Sequence, residues 1–208
     1  GTVFKYRFQQ EEYEINLLLP GAFQVYNALA AIAVLRATGI PHSQIISGLN
    51  RVELNGRTEK IGNHKGCMLY IDYAHNGMSL RSVLENFRMY CPKRIILIFG
   101  CGGNRSRERR YAMGEAAGRF ADYSVITTDN PRDEDPQMII SEIVEGIVKT
   151  DGAYCVIPDR KEAIRYALEY CEAGDLILVA GKGHENYQDV QGVKSHFDDK
   201  EVLAEVMR

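Results

Sequence analysis

Two rhythms of apolar and polar positions run along this chain. Residues 2–8 and 12–19 alternate around a Gln9-Gln10-Glu11 break, which predicts a β-hairpin. After Pro20-Gly21 the spacing changes. Val25, Leu29, Ile32, Ala33 and Leu35 recur at helical intervals and predict a helix over 25–38, with Gly39 as its stop and Pro41 beyond. A shorter helix is expected over 43–50, with Ser43 near its cap. Residues 52–61 keep neither rhythm and read as a crossing segment between two bodies.

From residue 67 onward, short apolar runs alternate with helical patterns. Strands are predicted at 67–72, 94–99, 123–127, 154–157 and 176–180. Helices are predicted at 79–91, 109–120, 137–148 and 160–170, with a closing helix that runs to Arg208. Residues 94–99 form the clearest central strand. The alternation is the signature of a doubly wound α/β domain. Right-handed crossovers then bring the carboxyl ends of the strands to one edge, where open α/β sheets bind ligands.

Composition narrows the function. The 208 residues are 45% hydrophobic, enough for one good core or one domain and part of another. A net charge of -3 gives no general case for nucleic-acid binding. Five cysteines without a CxxC pair argue against a disulfide framework or a structural zinc site and fit a reducing cytoplasm. No apolar run approaches the roughly 20 residues of a membrane span. No signal peptide is visible, and the start, Gly-Thr-Val-Phe-Lys, suggests an excised piece of a longer protein.

Four strand-end loops carry candidate chemistry: Tyr73-Ala74-His75-Asn76-Gly77, Gly100-Cys101-Gly102-Gly103-Asn104-Arg105, Asp129-Asn130-Pro131-Arg132 and Gly181-Lys182-Gly183-His184-Glu185. The third suits a zwitterion. Asp129 accepts from an ammonium, Asn130 donates and accepts, Arg132 grips a carboxylate with two parallel bonds, and Pro131 stiffens the turn. An ordinary polar turn is the alternative. The glycines of the second loop are wrongly spaced for a dinucleotide fingerprint, and neither Gly-rich loop has the form of a Walker A loop. Arginines 105, 107, 109 and 110 are disfavoured at a helix N-terminus, so at least one of them is expected to meet an anion. Lys182 is either a solvated residue or part of the site, and Glu185 suits an ammonium. The five histidines have no metal-ligand spacing; His75 and His184 share the presumed ligand edge. Cys101 has no identifiable base and makes a poor nucleophile.

In this order, and with Leu19-Pro20-Gly21-Ala22-Phe23-Gln24-Val25-Tyr26-Asn27-Ala28-Leu29-Ala30-Ala31, Gly56-Arg57-Thr58-Glu59 and His196-Phe197-Asp198-Asp199 added, the clusters resemble the Mur ligases. The resemblance is strongest to the members that add the third amino acid to UDP-MurNAc-L-Ala-D-Glu in peptidoglycan synthesis. It implies a cytoplasmic, ATP-dependent ligase that uses Mg2+ and phosphorylates the peptide carboxylate before the incoming amine attacks. It implies residues 1–55 as the remnant of a central ATPase domain and residues 56–208 as a Rossmann-like C-terminal domain. The phosphate-binding loop, the carbamylated lysine and the UDP-binding domain of the family are missing, so the fragment alone is expected to be inactive, with the missing domains its partners in cis.

The resemblance also assigns residues. Arg110 matches a carboxylate-binding arginine. Asp129, Asn130, Pro131 and Arg132 match the reader of the distal end of meso-diaminopimelate, and Gly181 and Glu185 its remaining contacts. Asn27, Arg57 and Asp72 match ATP-proximal positions, and His75 is a candidate catalytic residue. No metal ligand is assigned. The sequence departs from the family pattern at Thr58, where Met is frequent, at Asn104, where Asp is common, and in the Asn-Gly-Met-Ser-Leu that follows Tyr-Ala-His. Two other readings remain: the same fold acting on lysine, ornithine or a folate-type glutamate, and a non-catalytic module that senses an amino acid.

Overall fold

A computed structural model describes residues 1–207; the end of the predicted closing helix, Arg208, lies outside the described residues. The chain divides into two compact units, Gly1–Leu54 and a second that begins at Asn55.

In the first unit, β1 (Thr2–Phe8) and β2 (Glu11–Leu17) pair antiparallel through a two-residue turn. Gln9 and Gln10 both take positive φ, as this tight hairpin turn requires. Helices α1 (Ala22–Ala37) and α2 (His42–Leu49) cover the hairpin around Ile15, Leu17, Ala28, Ile32, Ile45 and Leu49. Ser43 lies near the cap of α2, as its second residue, but is not the cap itself. Pro41 takes that place without a side-chain bond, and its fixed φ suits a helix start. Tyr26 and Val34 leave apolar surface exposed on α1.

The second unit is built on a six-stranded sheet in the order β3-β4-β8-β5-β6-β7. Its strands are β3 (Glu59–His64), β4 (Cys67–Asp72), β5 (Ile95–Phe99), β6 (Tyr123–Ile126), β7 (Ala153–Val156) and β8 (Leu176–Ala180). All neighbours pair parallel except β3, an antiparallel edge strand on β4. β3 occupies part of the stretch expected to be a crossing segment. Its alternation is interrupted by a register shift between Lys60 and Gly62, which hides the period of two.

Strand pleating divides the core. Ile95, Leu97 and Phe99 face α3 (Gly77–Arg88), α4 (Arg107–Phe120) and α5 (Pro136–Ile147). Ile96 and Ile98 face α6 (Arg160–Tyr170) and α7 (Asp199–Val206). Capping explains why helices start earlier than their apolar patterns. Asn76 forms a reciprocal capping box with Ser79, and the Ser106 side chain accepts from Arg109 N. The chain steps from β4 over the slot of β8 to β5, and fills that slot last. β5 leads into a helix on one face and β8 into elements on the other, so their carboxyl ends form the topological switch point.

Two features of this body are testable. Helices α4 and α5 touch backbone to backbone: a Cβ on Gly114 would lie 2.0 Å from Ile143 O. Gly114→Ala therefore lowers stability by about 2 kcal/mol or more, read from the urea midpoint. At the opposite end of the sheet, Arg94 Nη2 pairs with the fully buried Asp175 carboxylate at 2.6 Å. Burial pushes the Asp175 carboxyl up, but Arg94 and the Glu172 N–H outweigh it and hold the group below its ordinary 3.8. Its contribution is complete above pH 3.8 and is lost as pH falls through the lower folded value. Asp175→Asn should cost about 3 kcal/mol at pH 7 and flatten the acid limb of a stability–pH profile.

Candidate functional site

The Asp129–Arg132 turn follows β6 and is held from both sides. On one side Gly103 N donates to Asn130 O at 2.8 Å, and Arg132 Nη1 donates to Gly103 O. On the other stands a hairpin of β9 (Tyr187–Val190) and β10 (Val193–His196) that the sequence reading did not foresee. Arg132 N donates to Asp189 O at 2.9 Å, and Gln191 N donates to Arg132 O at 2.7 Å. Asp189 N donates to Asn130 Oδ1 at 3.0 Å, and Gln188 Nε2 to Asp129 O at 2.9 Å. These bonds hold Arg132 at φ 51°, a conformation that arginine rarely takes unaided. A signal for the hairpin was present: Val190-Gln191-Gly192-Val193 places a two-residue turn between β-branched residues.

All four loops meet in one cleft of about 480 Å³, solvent at its mouth included. Tyr73 and His75 line it from the β4 loop, and Cys101, Gly102, Arg105 and Arg109 from the β5 loop and the start of α4. Asp129, Asn130 and Arg132 come from the β6 turn, and Gly181 and Glu185 from the β8 loop. The lining carries both charges: the guanidinium groups of Arg105, Arg109 and Arg132, and the carboxylates of Asp129 and Glu185.

Each carboxylate has a defined setting. Glu185 Oε2 accepts from Asn130 Nδ2 at 2.8 Å, and Oε1 from the Tyr73 hydroxyl at 3.1 Å. Asp129 is buried, and its Oδ2 has no hydrogen-bond partner. Burial pushes the Asp129 carboxyl up, against the pull of the Lys182 and Arg160 cations. Gly181 passes close enough that a Cβ would lie 2.7 Å from Asp129 Oδ2, and its φ of 111° belongs to glycine. An unpartnered buried acceptor beside an open cleft is a ready partner for an ammonium.

Other expected residues stand elsewhere. Arg110 is buried outside the cleft lining, donating to Glu134 Oε1 and Glu142 Oε2, each at 2.7 Å. Both carboxylates on this guanidinium belong to the protein. Arg109 points the other way along the same helix and donates to His75 O at 2.9 Å. Pro131 is buried, and its carbonyl accepts from Glu134 N at 3.1 Å. Asp72 accepts from Thr58 N and Ala74 N, both at 2.7 Å, and burial pushes its carboxyl up against those bonds. Arg57 is exposed, its guanidinium 4.7 Å above the Tyr73 ring. Asn27 lies on the exposed face of α1 and donates to Gln24 Oε1.

The remaining residues divide just as clearly. Tyr73, which sequence reading did not single out, lines the cleft and holds Glu185. His75 lines the cleft with Nδ1 bonded to Tyr73 O at 2.8 Å. His184 is exposed, its ring 5.2 Å from that of Tyr73. Lys182 is fully buried, so the solvated alternative falls. The Cys101 thiol packs 3.3 Å from Met113 Sδ, and burial pushes its pKa up, which suits packing and not attack. Among the described residues no group of three or more His, Cys, Asp or Glu is arranged to hold a metal ion, and no helix is long and apolar enough to cross a membrane.

Comparison with known proteins agrees with this architecture. Residues 56–183 match the family described as "Mur ligase, glutamate ligase domain". A UDP-N-acetylmuramoyl-L-alanyl-D-glutamate–2,6-diaminopimelate ligase from Caldanaerobacter subterraneus subsp. tengcongensis is 44% identical over 207 residues, covering all of this chain and 43% of that protein. One of the same name from Aquifex aeolicus is 40% identical over 207 residues, covering all of this chain and 42% of the relative. The chain thus spans less than half the length of the curated relatives it matches. A solved structure of a ligase of that name superposes with a TM-score of 0.72 at 33% identity, covering 100% of this chain and 42% of the other. A pseudomurein peptide ligase type C from Methanothermus fervidus shares the fold at a TM-score of 0.68 and 24% identity, over 87% of this chain and 37% of the other. Family match, identity over the full chain and sheet architecture coincide: the chain belongs to the Mur ligases.

Proposed function

We propose that this chain supplies the amino-acid-binding part of an ATP-dependent ligase that joins meso-diaminopimelate to UDP-MurNAc-L-Ala-D-Glu in cytoplasmic peptidoglycan synthesis. The observation that carries the reading is a cleft lined by both charges. Arg105, Arg109 and Arg132 share one small space with Asp129 and Glu185. Meso-diaminopimelate carries a carboxylate and an ammonium at each end. Bidentate guanidinium contacts suit its carboxylates, and Asp129 and Glu185 suit an ammonium. L-Lysine offers only an ammonium at its far end and would leave one arginine desolvated and unpaired.

The chain's residues bind and orient. Fixing one end of the ligand in the cleft presents the amine at its other end for attack, a proximity effect. That amine must first lose a proton. His75 is the lining group suited to accept it, through Nε2 when Nδ1 carries the hydrogen bonded to Tyr73 O. ATP supplies the activating phosphoryl group when bound. The exposed Arg57 guanidinium suits a phosphate, and each Asp72 oxygen, engaged by one backbone N–H, keeps acceptor capacity that suits a ribose hydroxyl. Among the described residues no group of three or more His, Cys, Asp or Glu is arranged to hold Mg2+.

Arg110 holds the β6 turn through Glu134, and its guanidinium is engaged by Glu134 and Glu142. Arg105 and Arg109 take the carboxylate role that the resemblance gave to Arg110. A two-dimensional amide NMR titration of the 208-residue chain tests the assignment. Meso-diaminopimelate should shift the signals of residues 129–132, 181 and 185, and L-lysine at the same concentration should not. Arg132→Ala should weaken meso-diaminopimelate about tenfold or more and abolish the preference. Equal response of the native chain to both ligands would refute the substrate. Arg105→Ala should weaken binding with stability changed by less than about 0.5 kcal/mol. Arg110→Met should instead cost about 3 kcal/mol in a urea titration, because it strands two carboxylates.

A further inference from the structure

Beneath the cleft lies a buried cation that the proposed binding does not use. Lys182 follows Gly181 at the end of β8 and has no solvent exposure. Its ammonium donates to Asn130 Oδ1 at 2.9 Å and to Tyr187 O at 2.6 Å. It therefore ties together three segments: the β8 loop, the Asp129–Arg132 turn and the first residue of β9. The rings of Tyr187 and Phe197 stand 5.8 and 6.0 Å from Nζ and close the site around it.

We propose that Lys182 is a positioning residue of the cleft: it fixes the side-chain amide of Asn130 and, through it, the Glu185 carboxylate that faces the ligand. Asn130 Oδ1 accepts from Lys182 Nζ and from Asp189 N, which uses both of its lone pairs. With Oδ1 committed, Nδ2 points at the cleft and donates to Glu185 Oε2 at 2.8 Å. Rotating the amide by half a turn would set NH2 groups against an ammonium and a peptide N–H, and a carbonyl oxygen against a carboxylate. The ammonium makes that alternative far worse than the peptide N–H alone, because a bond to a charged donor is about twice as strong as a neutral one. Tyr73 completes the line by donating to Glu185 Oε1. Nothing in the line except Asn130 and Glu185 needs to touch a ligand. A buried lysine is also costly to keep for folding alone, since burial lowers its pKa and an apolar chain of the same length would fill the space.

The affinity arm of the test rests on the amino-acid reading of the cleft; the spectroscopic arm does not. In the ligand-free 208-residue chain, Lys182→Met should move the Asn130 side-chain amide signals in a 15N spectrum and increase their exchange with water. Unmoved Asn130 signals in the folded variant would overturn the proposal. If Lys182→Met does not fold, Asn130→Ala serves from the other end. The Lys182 ammonium should give a slowly exchanging 15N signal in the native chain that Asn130→Ala shifts or abolishes, and an unchanged signal would overturn the proposal equally. With meso-diaminopimelate as the probe, Lys182→Met and Asn130→Ala should each raise Kd by about tenfold, and the double variant no further than the worse single one. Additive losses would mean that Lys182 acts independently of Asn130 and would sink the lever. Absence of binding by the native chain would count against the proposed substrate and leave the lever to the amide signals.

Discussion

The cleft stands on one buried ion pair. Arg160, at the start of α6, donates through Nε and Nη2 to both oxygens of Asp199, each at 2.8 Å, and both side chains are fully buried. Nη2 also donates to Ala180 O at 3.0 Å, the last residue of β8. Nη1 lies 4.0 Å from Asp129 Oδ2 and has no closer partner. One guanidinium therefore fixes the end of the central strand, the starts of two helices and the carboxylate at the mouth of the site. Removing one partner of such a pair costs about 3–5 kcal/mol, because a charge is left buried alone. The pair also sets the field of the cleft. The positive charge of Arg160 and Lys182 beneath it lets Asp129 and Glu185 stand close together above.

Around that pair the loops determine one another. The β6 turn takes its shape from the Gly-rich loop on one side and the β9–β10 hairpin on the other. Glu134 accepts from Asn104 N and from Arg110, so the turn, the loop and α4 share one anchor. This explains a division among neighbouring arginines. Arg107 pairs with Glu145 on α5, Arg110 is buried among carboxylates, and Arg105 and Arg109 face the cleft. Helical geometry sends positions 109 and 110 about 100° apart, so adjacent residues have different roles.

Several elements were legible because a local rule decided them. The inner parallel strands β4, β5 and β8 announce themselves as largely apolar runs, since both of their faces are buried. The strand-end loops follow from their glycines and charges, and the family from their order. The antiparallel edge β3 was hidden by its register shift, and the β9–β10 hairpin by exposed polar side chains that make little hydrophobic signal. The burial of Lys182 and Arg110 was not legible for a common reason: a charged side chain reads as solvated or ligand-facing until its buried partners are known.

The sequence by itself determined the alternation of strands and helices, the edge where ligands would bind and the residue types gathered there. Those depend on period, turn chemistry and order along the chain, all of which are local. Only the tertiary structure decided which charges are spent inside the protein and which are left for a ligand. Asp72, Arg110, Arg160 and Lys182 each have a partner 14 or more positions away, whereas Asp129 Oδ2 is left without a hydrogen bond. Whether a charge is free is a property of the pair, and a short window of sequence does not contain these distant partners.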